Sequence, residues 1–202
     1  MNWMQLAARA GVVATLASAT AWSGPESAHA QWYVTGGGGA EFPTGNFNDT
    51  HNGGAYFDLE VGREVARRVG IGVFGSLGLL GGETFNVANR FGDVQVWRYG
   101  LNGQIQAVDP AMTNLRVVLG AGLGGATSSV NPGAIAGVPL PGGSVTNFML
   151  DGNVYFGYGM ARNVMVGVGS RFYLIFNSDP RLATGTDMTS FTVQLIVAWK
   201  QL

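Results

Sequence analysis

Residues Val164 to Phe176 read Val-Met-Val-Gly-Val-Gly-Ser-Arg-Phe-Tyr-Leu-Ile-Phe, and they alternate. One phase holds Val164, Val166, Val168, Ser170, Phe172 and Leu174; the other holds Met165, Gly167, Gly169, Arg171 and Tyr173. A period of two dictates an extended strand with two unlike faces. One face is apolar almost throughout, and the other is small or polar and carries an arginine. An apolar face turned to lipid and a polar face turned into a closed barrel satisfy both requirements.

The same alternation recurs along the chain and predicts eight strands: Trp32–Phe42, Ala55–Val65, Val69–Leu80, Val94–Val108, Leu115–Ser129, Asn147–Tyr158, Val164–Phe176 and Met188–Trp199. Long and short connections take turns between them. Thr44–Gly54, Gly81–Asp93, Val130–Thr146 and Asn177–Asp187 are the long ones. Ala66-Arg67-Arg68, the Asp109-Pro110 turn ending at Asn114, and Ala161-Arg162-Asn163 are short. Pro132, Pro139 and Pro141 argue that Val130–Thr146 is loop, because proline cannot donate to a central ladder. The expected fold is all-β: an eight-stranded antiparallel up-and-down transmembrane β-barrel with both ends on the side of the short turns.

Composition narrows the class. Charged residues are 11% of the 202, against about 25% in ordinary soluble domains. No stretch offers the ~18 consecutive apolar residues of a membrane-spanning helix. The net charge is −1, with no basic stripe to support nucleic-acid binding. There is no cysteine, which excludes disulfides and thiolate metal sites. Met1–Ala30 reads as a cleavable secretory leader: Arg9, an apolar run from Ala10 to Trp22, and Ala28-His29-Ala30 as the cleavage site. Residues 31–202 then form the barrel domain.

The charges partition between the two faces. Glu41, Asp58, Glu60, Glu64 and Asp151 share the inward phase with Arg98, Arg116 and Arg171, whereas Arg63 alone lies on the outward one. Eight strands leave an interior just wide enough to be filled by side chains. A buried charge without a partner is costly, so these eight residues predict an internal ion-pair network that plugs the barrel. Counted from the turns, Asp58, Glu60, Arg98, Asp151 and Arg171 fall near mid-height, and Glu64 and Arg116 near the turns. Outward aromatics predict two interfacial belts. Trp32, Tyr158 and Trp199 mark the rim at the turns; Phe42, Trp97, Phe148, Phe172 and Phe191 mark the opposite half. The competing architecture is a soluble lipocalin-type barrel, which reverses the faces.

The leader, the opening Tyr33-Val-Thr-Gly-Gly-Gly-Gly-Ala-Glu-Phe-Pro and the eight-strand rhythm resemble the small outer-membrane β-barrels of Gram-negative bacteria, the OmpA/OmpX-like and related porin-family domains. The resemblance covers Gln31–Leu202. It implies short periplasmic turns, longer extracellular loops, periplasmic termini and insertion in the cell outer membrane. It implies contact with outer-membrane lipid and lipopolysaccharide, assembly by the barrel-assembly machinery, and a monomer. Such barrels usually end in an aromatic residue; this chain ends Trp199-Lys200-Gln201-Leu202.

Few residues suggest chemistry. Gly120-Ala-Gly-Leu-Gly-Gly125 matches a dinucleotide fingerprint but is followed by loop rather than helix, so no cofactor is expected. His51 is the single histidine after the leader, and a lone histidine in a polar loop reads as solvated. Ser76, Ser128, Ser129 and Asp93 lie toward its end of the barrel and would be its partners in a lipid-modifying enzyme. Asp49, Glu83, Asp93, Asp179 and Asp187 are loop carboxylates that read as solvated, with Ca²⁺ as the alternative and no metal site assigned. The first functional expectation is a non-enzymatic envelope or surface-interaction protein. A narrow channel for small solutes or hydrophobic molecules is the second, and the His51 enzyme the third.

Overall fold

The computed structural model describes residues 31–66, 68–86, 89–108, 114–176 and 187–201. The leader and its cleavage site lie outside them. Eight strands close into one antiparallel barrel: β1 (Trp32–Thr44), β2 (His51–Ala66), β3 (Val69–Gly82), β4 (Val94–Gln106), β5 (Leu115–Val130), β6 (Gly143–Ala161), β7 (Val164–Phe176) and β8 (Asp187–Lys200). Each strand pairs with its neighbours in sequence, and β1 closes against β8. All eight expected strands are present.

The register sets the shape. One row of partners runs from Trp32 through Arg63, Ile71, Gly103, Ala121, Gly152, Phe172 and Phe191, and returns to β1 at Phe42. That is a stagger of ten residues, which tilts the strands by about 40° to the axis. Ten residues along a strand so tilted rise roughly 25 Å, the height of an outer-membrane apolar band. Trp32 and Phe42 therefore mark its two edges on one strand.

The outer wall between those edges is apolar. Leu59, Ile71, Leu101, Leu119, Leu123, Val168, Val193 and Leu195 are all exposed on it. One end of the barrel carries the β2–β3, β4–β5 and β6–β7 connections and is the turn end; the other is the loop end. Arg68 makes the β2–β3 turn with a φ of 69°, a left-handed conformation uncommon outside glycine.

The loop end is more ordered than proline placement suggests. Residues Gly133–Ile135 and Val138–Leu140 form a hairpin inside the expected loop, and β6 begins at Gly143. With Thr84–Asn86 and Asn89–Arg90 they make a separate four-stranded sheet. Pro139 pairs with Ala134 from the edge strand of that sheet, where its missing N–H faces no partner. The polar β1–β2 connection is likewise shorter than expected. It folds as a 3₁₀ turn, Gly45–Phe47, and β2 starts at His51.

Candidate functional site

The lumen has three levels. At mid-height two arginines stand inside a polar web. Arg98 donates from both terminal nitrogens to the Glu41 carboxylate, and Ser190 Oγ donates to Glu41 Oε1 at 2.6 Å. Arg98 also lies over the Tyr173 ring, 4.3 Å from its centroid. Arg171 Nε donates to Asp151 Oδ1 at 2.7 Å, with Asp58 at 3.8 Å and Glu60 at 3.9 Å from its terminal nitrogens. The Phe74 ring, an inward residue that strand periodicity places but polarity does not suggest, sits 3.8 Å beneath that guanidinium. Neutral groups knit the two centres together. Tyr56 and Tyr173 share a 2.6 Å hydroxyl bond, Ser76 Oγ is 3.1 Å from Tyr173, and Tyr56 donates to Asp58 at 3.2 Å. Glu60 accepts from Tyr33, Asn102 and Gln104 at 3.0, 2.8 and 2.5 Å.

Small neighbours make this packing possible. A Cβ on Gly78 would overlap Glu41, and one on Gly122 would overlap Asp151. Glycines on the inward phase thus clear room for long side chains from adjacent strands in a narrow lumen. Arg98, Arg171, Glu41 and Glu60 are all buried, so their mutual pairing is what makes their desolvation tolerable.

The turn end is different. Glu64 is bound by Lys200 at 2.7 Å, a partner the sequence reading omitted, and not by Arg116. Lys200 lies on the inward phase of β8 beyond Ala198, so the strand alternation could have placed it there. Arg116 instead faces an open recess of about 120 Å³ lined by Tyr33, Glu64, Gln104, Arg116, Tyr155 and Lys200 among others.

The loop end differs again. Phe47, Leu80, Val94, Val96, Ala126, Met149, Ile175 and Met188 are buried together inside the barrel as an apolar cap. The outward phase at the same level carries hydroxyl groups on β1, β5, β6 and β8, while on β7 Phe176 stays apolar and exposed. Thr44 donates to Thr189 at 2.8 Å, and Thr127 and Thr146 are 2.9 Å apart. Two residues below the Thr44–Thr189 pair, Phe42 and Phe191 stack at 5.2 Å. On β1, β5, β6 and β8 the faces therefore invert at the Phe42–Phe191 level: apolar outside and polar inside below it, hydroxyl-bearing outside and apolar inside above it.

The predicted belt residues sit near the edges of the apolar wall. Trp32, Tyr158 and Trp199 lie at the turn end, and Arg63 stacks on Trp32 at 6.0 Å. Asn114 donates to Tyr158 Oη at 3.2 Å. Phe172 pairs with Phe191, while Trp97 and Phe148 are exposed toward the loop end. Phe148 stacks on Phe176 at 5.8 Å.

His51 is not solvated. It is fully buried at the loop end, above the inversion level, between Phe47 at 4.9 Å and Phe91 at 6.1 Å. Its Nδ1 is 2.8 Å from Thr50 Oγ1, and burial pulls its pKa down to about 4. Among the described residues no serine bonds to it; Ser76 belongs to the tyrosine web and Ser128 is buried. The polarity of the surrounding loop hid this burial, because Phe91 reaches it only through tertiary folding. Asp93 is also structural: its Oδ1 accepts the Gly82 N–H at 3.0 Å. No cluster of three metal-type ligands exists among the described residues, and Asp179 lies outside them. Gly120–Gly125 lies within β5, paired on both sides, and is not a loop before a helix.

No protein-family model matches the sequence, and no curated protein matches it either. Solved structures do. Neisserial surface protein A superposes with a TM-score of 0.61 at 15% identity, over 86% of this chain and 99% of that one. The N-terminal β-barrel domain of Pseudomonas aeruginosa OprF gives 0.51 at 10% identity, over 86% and 98%. Ail, the attachment invasion locus protein of Yersinia pestis, gives 0.50 at 12% identity, over 86% and 100%. The fold is that of the small outer-membrane β-barrels. At these identities the likeness is one of architecture.

Proposed function

We propose that this chain is an outer-membrane β-barrel with a closed lumen, acting in envelope structure and surface interaction rather than in catalysis. The inversion of faces at Phe42–Phe191 carries the reading. A wall that is apolar outside for roughly 25 Å and then hydroxyl-rich outside has two solvents, hydrocarbon and water. Below the inversion the arrangement suits lipid, and above it the arrangement is that of a soluble barrel. The short turns and both termini of the mature chain then lie in the periplasm, and the four-stranded loop sheet stands clear of the outer leaflet as an interaction surface. Outer-membrane lipid and lipopolysaccharide surround it.

The closed lumen rests on two seals in series, the Arg98–Glu41 and Arg171–Asp151 web and the apolar cap above it. Ail, by its description an attachment protein, lends the surface role a precedent on the same fold. The experiment is planar-bilayer recording of the refolded barrel. Absence of steady single-channel steps is the expected result, and regular steps would replace this reading with the narrow-channel one. Heat-modifiable migration in detergent gels tests the membrane barrel itself.

A further inference from the structure

The turn-end recess is built unlike the rest of the lumen. Among the described residues its wall carries Arg116, Arg162 and Lys200 against one carboxylate, Glu64. That carboxylate is already engaged by Lys200 at 2.7 Å. Arg116 and Arg162 form no ion pair among the described residues. At mid-height the balance is the reverse: Arg98 and Arg171 face Glu41, Asp58, Glu60 and Asp151. Among the described residues the surplus of carboxylate thus lies deep in the barrel and the surplus of cation at this mouth.

The recess is also shaped. Tyr33 and Gln104 on its wall both donate to Glu60, which ties their polar groups inward and leaves the mouth's field to the cations. Arg116 lies on the inward phase of β5 opposite Gly157 of β6, and a Cβ on nearby Gly159 would come 3.8 Å from its Nε. The guanidinium lies beside a wall of small residues and is half-buried. A half-buried guanidinium with no carboxylate partner among the described residues suits bidentate capture of a phosphate or a similar oxyanion.

We propose that the turn-end recess is a binding site for a small phosphate-type oxyanion, with Arg116 as its principal ligand and Lys200 held in reserve by Glu64. The proposal stands independently of whether the lumen conducts and of which membrane holds the barrel. Its distinctive consequence concerns Glu64. That carboxylate competes with the anion for Lys200, so removing its charge strengthens binding.

The test uses the refolded full mature barrel in zwitterionic detergent, with folding of every variant verified by heat-modifiable migration. Inorganic phosphate is titrated calorimetrically at constant ionic strength set with chloride. A saturable, one-to-one isotherm is expected. Arg116→Gln weakens it roughly tenfold or more, the size of a lost charge-assisted bond. Glu64→Gln tightens it by about threefold or more. Arg63→Gln, on the outer wall, leaves it unchanged. A non-saturating response overturns the proposal. So does equal loss in Arg63→Gln and Arg116→Gln, which would show only a general surface charge effect, and so does a Glu64→Gln variant that binds no tighter. A short-chain phosphatidylglycerol added to the micelles identifies the source: displacement of phosphate assigns the site to a lipid headgroup, and retention assigns it to a soluble oxyanion.

Discussion

The two ends of the lumen are made from the same alternating strands, yet they are opposites. At the loop end the inward side chains are Leu80, Val94, Val96, Met149, Ile175 and Met188, closed over by Phe47. At the turn end they are Glu64, Gln104, Arg116 and Lys200 around an open recess. The difference teaches that strand alternation assigns a face but not its polarity. Polarity is set by what lies outside at each height. Where the wall meets hydrocarbon, the polar residues must go inside. Where the strands project into water, the ordinary soluble arrangement returns and the interior becomes a hydrophobic core.

The contrast can be broken most severely at the seal between the two ends. Arg98→Ala leaves Glu41 buried without its partner, and unfolding in urea should show a loss of about 3–5 kcal/mol. The double replacement Arg98→Met with Glu41→Leu should recover most of that loss, because a buried pair can be exchanged for packed apolar groups. At the loop end, Phe47→Ala should cost about 3 kcal/mol by opening a cavity in the cap. The same urea titration checks it. If the cap were merely a solvated loop, the variant would be silent.

On the outer wall, Leu195→Arg places a charge within the apolar band and should cost about 2–4 kcal/mol in lipid vesicles. Thr146→Arg, above the inversion level, should cost much less, and equal costs would mean the faces do not invert. His51 sharpens the comparison through pH. Its folded pKa lies near 4, against an ordinary value of 6.5, so between those values the unfolded chain binds the extra proton. Stability should therefore fall as pH drops from 6.5 toward 4, and His51→Phe should remove that one-proton slope. The smallest effect belongs to the turn end. Arg116→Gln should change stability by about 0.5 kcal/mol or less, since no buried pair is broken.

Legibility followed the same division. The outward phase of every strand could be read because lipid demands an unbroken apolar run, and Val168, Leu195 and Leu101 show it plainly. The glycines and charges of the inward phase could be placed at their heights by counting from the turns. Partner choice could not. Glu64 lies near both Arg116 and Lys200 in height, and only the stagger around the closed barrel brings Lys200 of β8 to it across β1. His51 misleads for a similar reason, since its burial depends on Phe91 arriving from the loop between β3 and β4. Pro139 misled because the rule against proline in sheets spares an edge strand, and no edge is visible before the loop sheet forms.

What the linear order of residues determined was the strand count, the faces and the side carrying the tight turns, all of them consequences of a two-residue period and local turn chemistry. What tertiary structure alone decided was the ten-residue stagger and, through it, which inward groups meet. Side chains from strands far apart in sequence become neighbours only once the sheet has closed on itself, and electrostatic pairing depends on that distance.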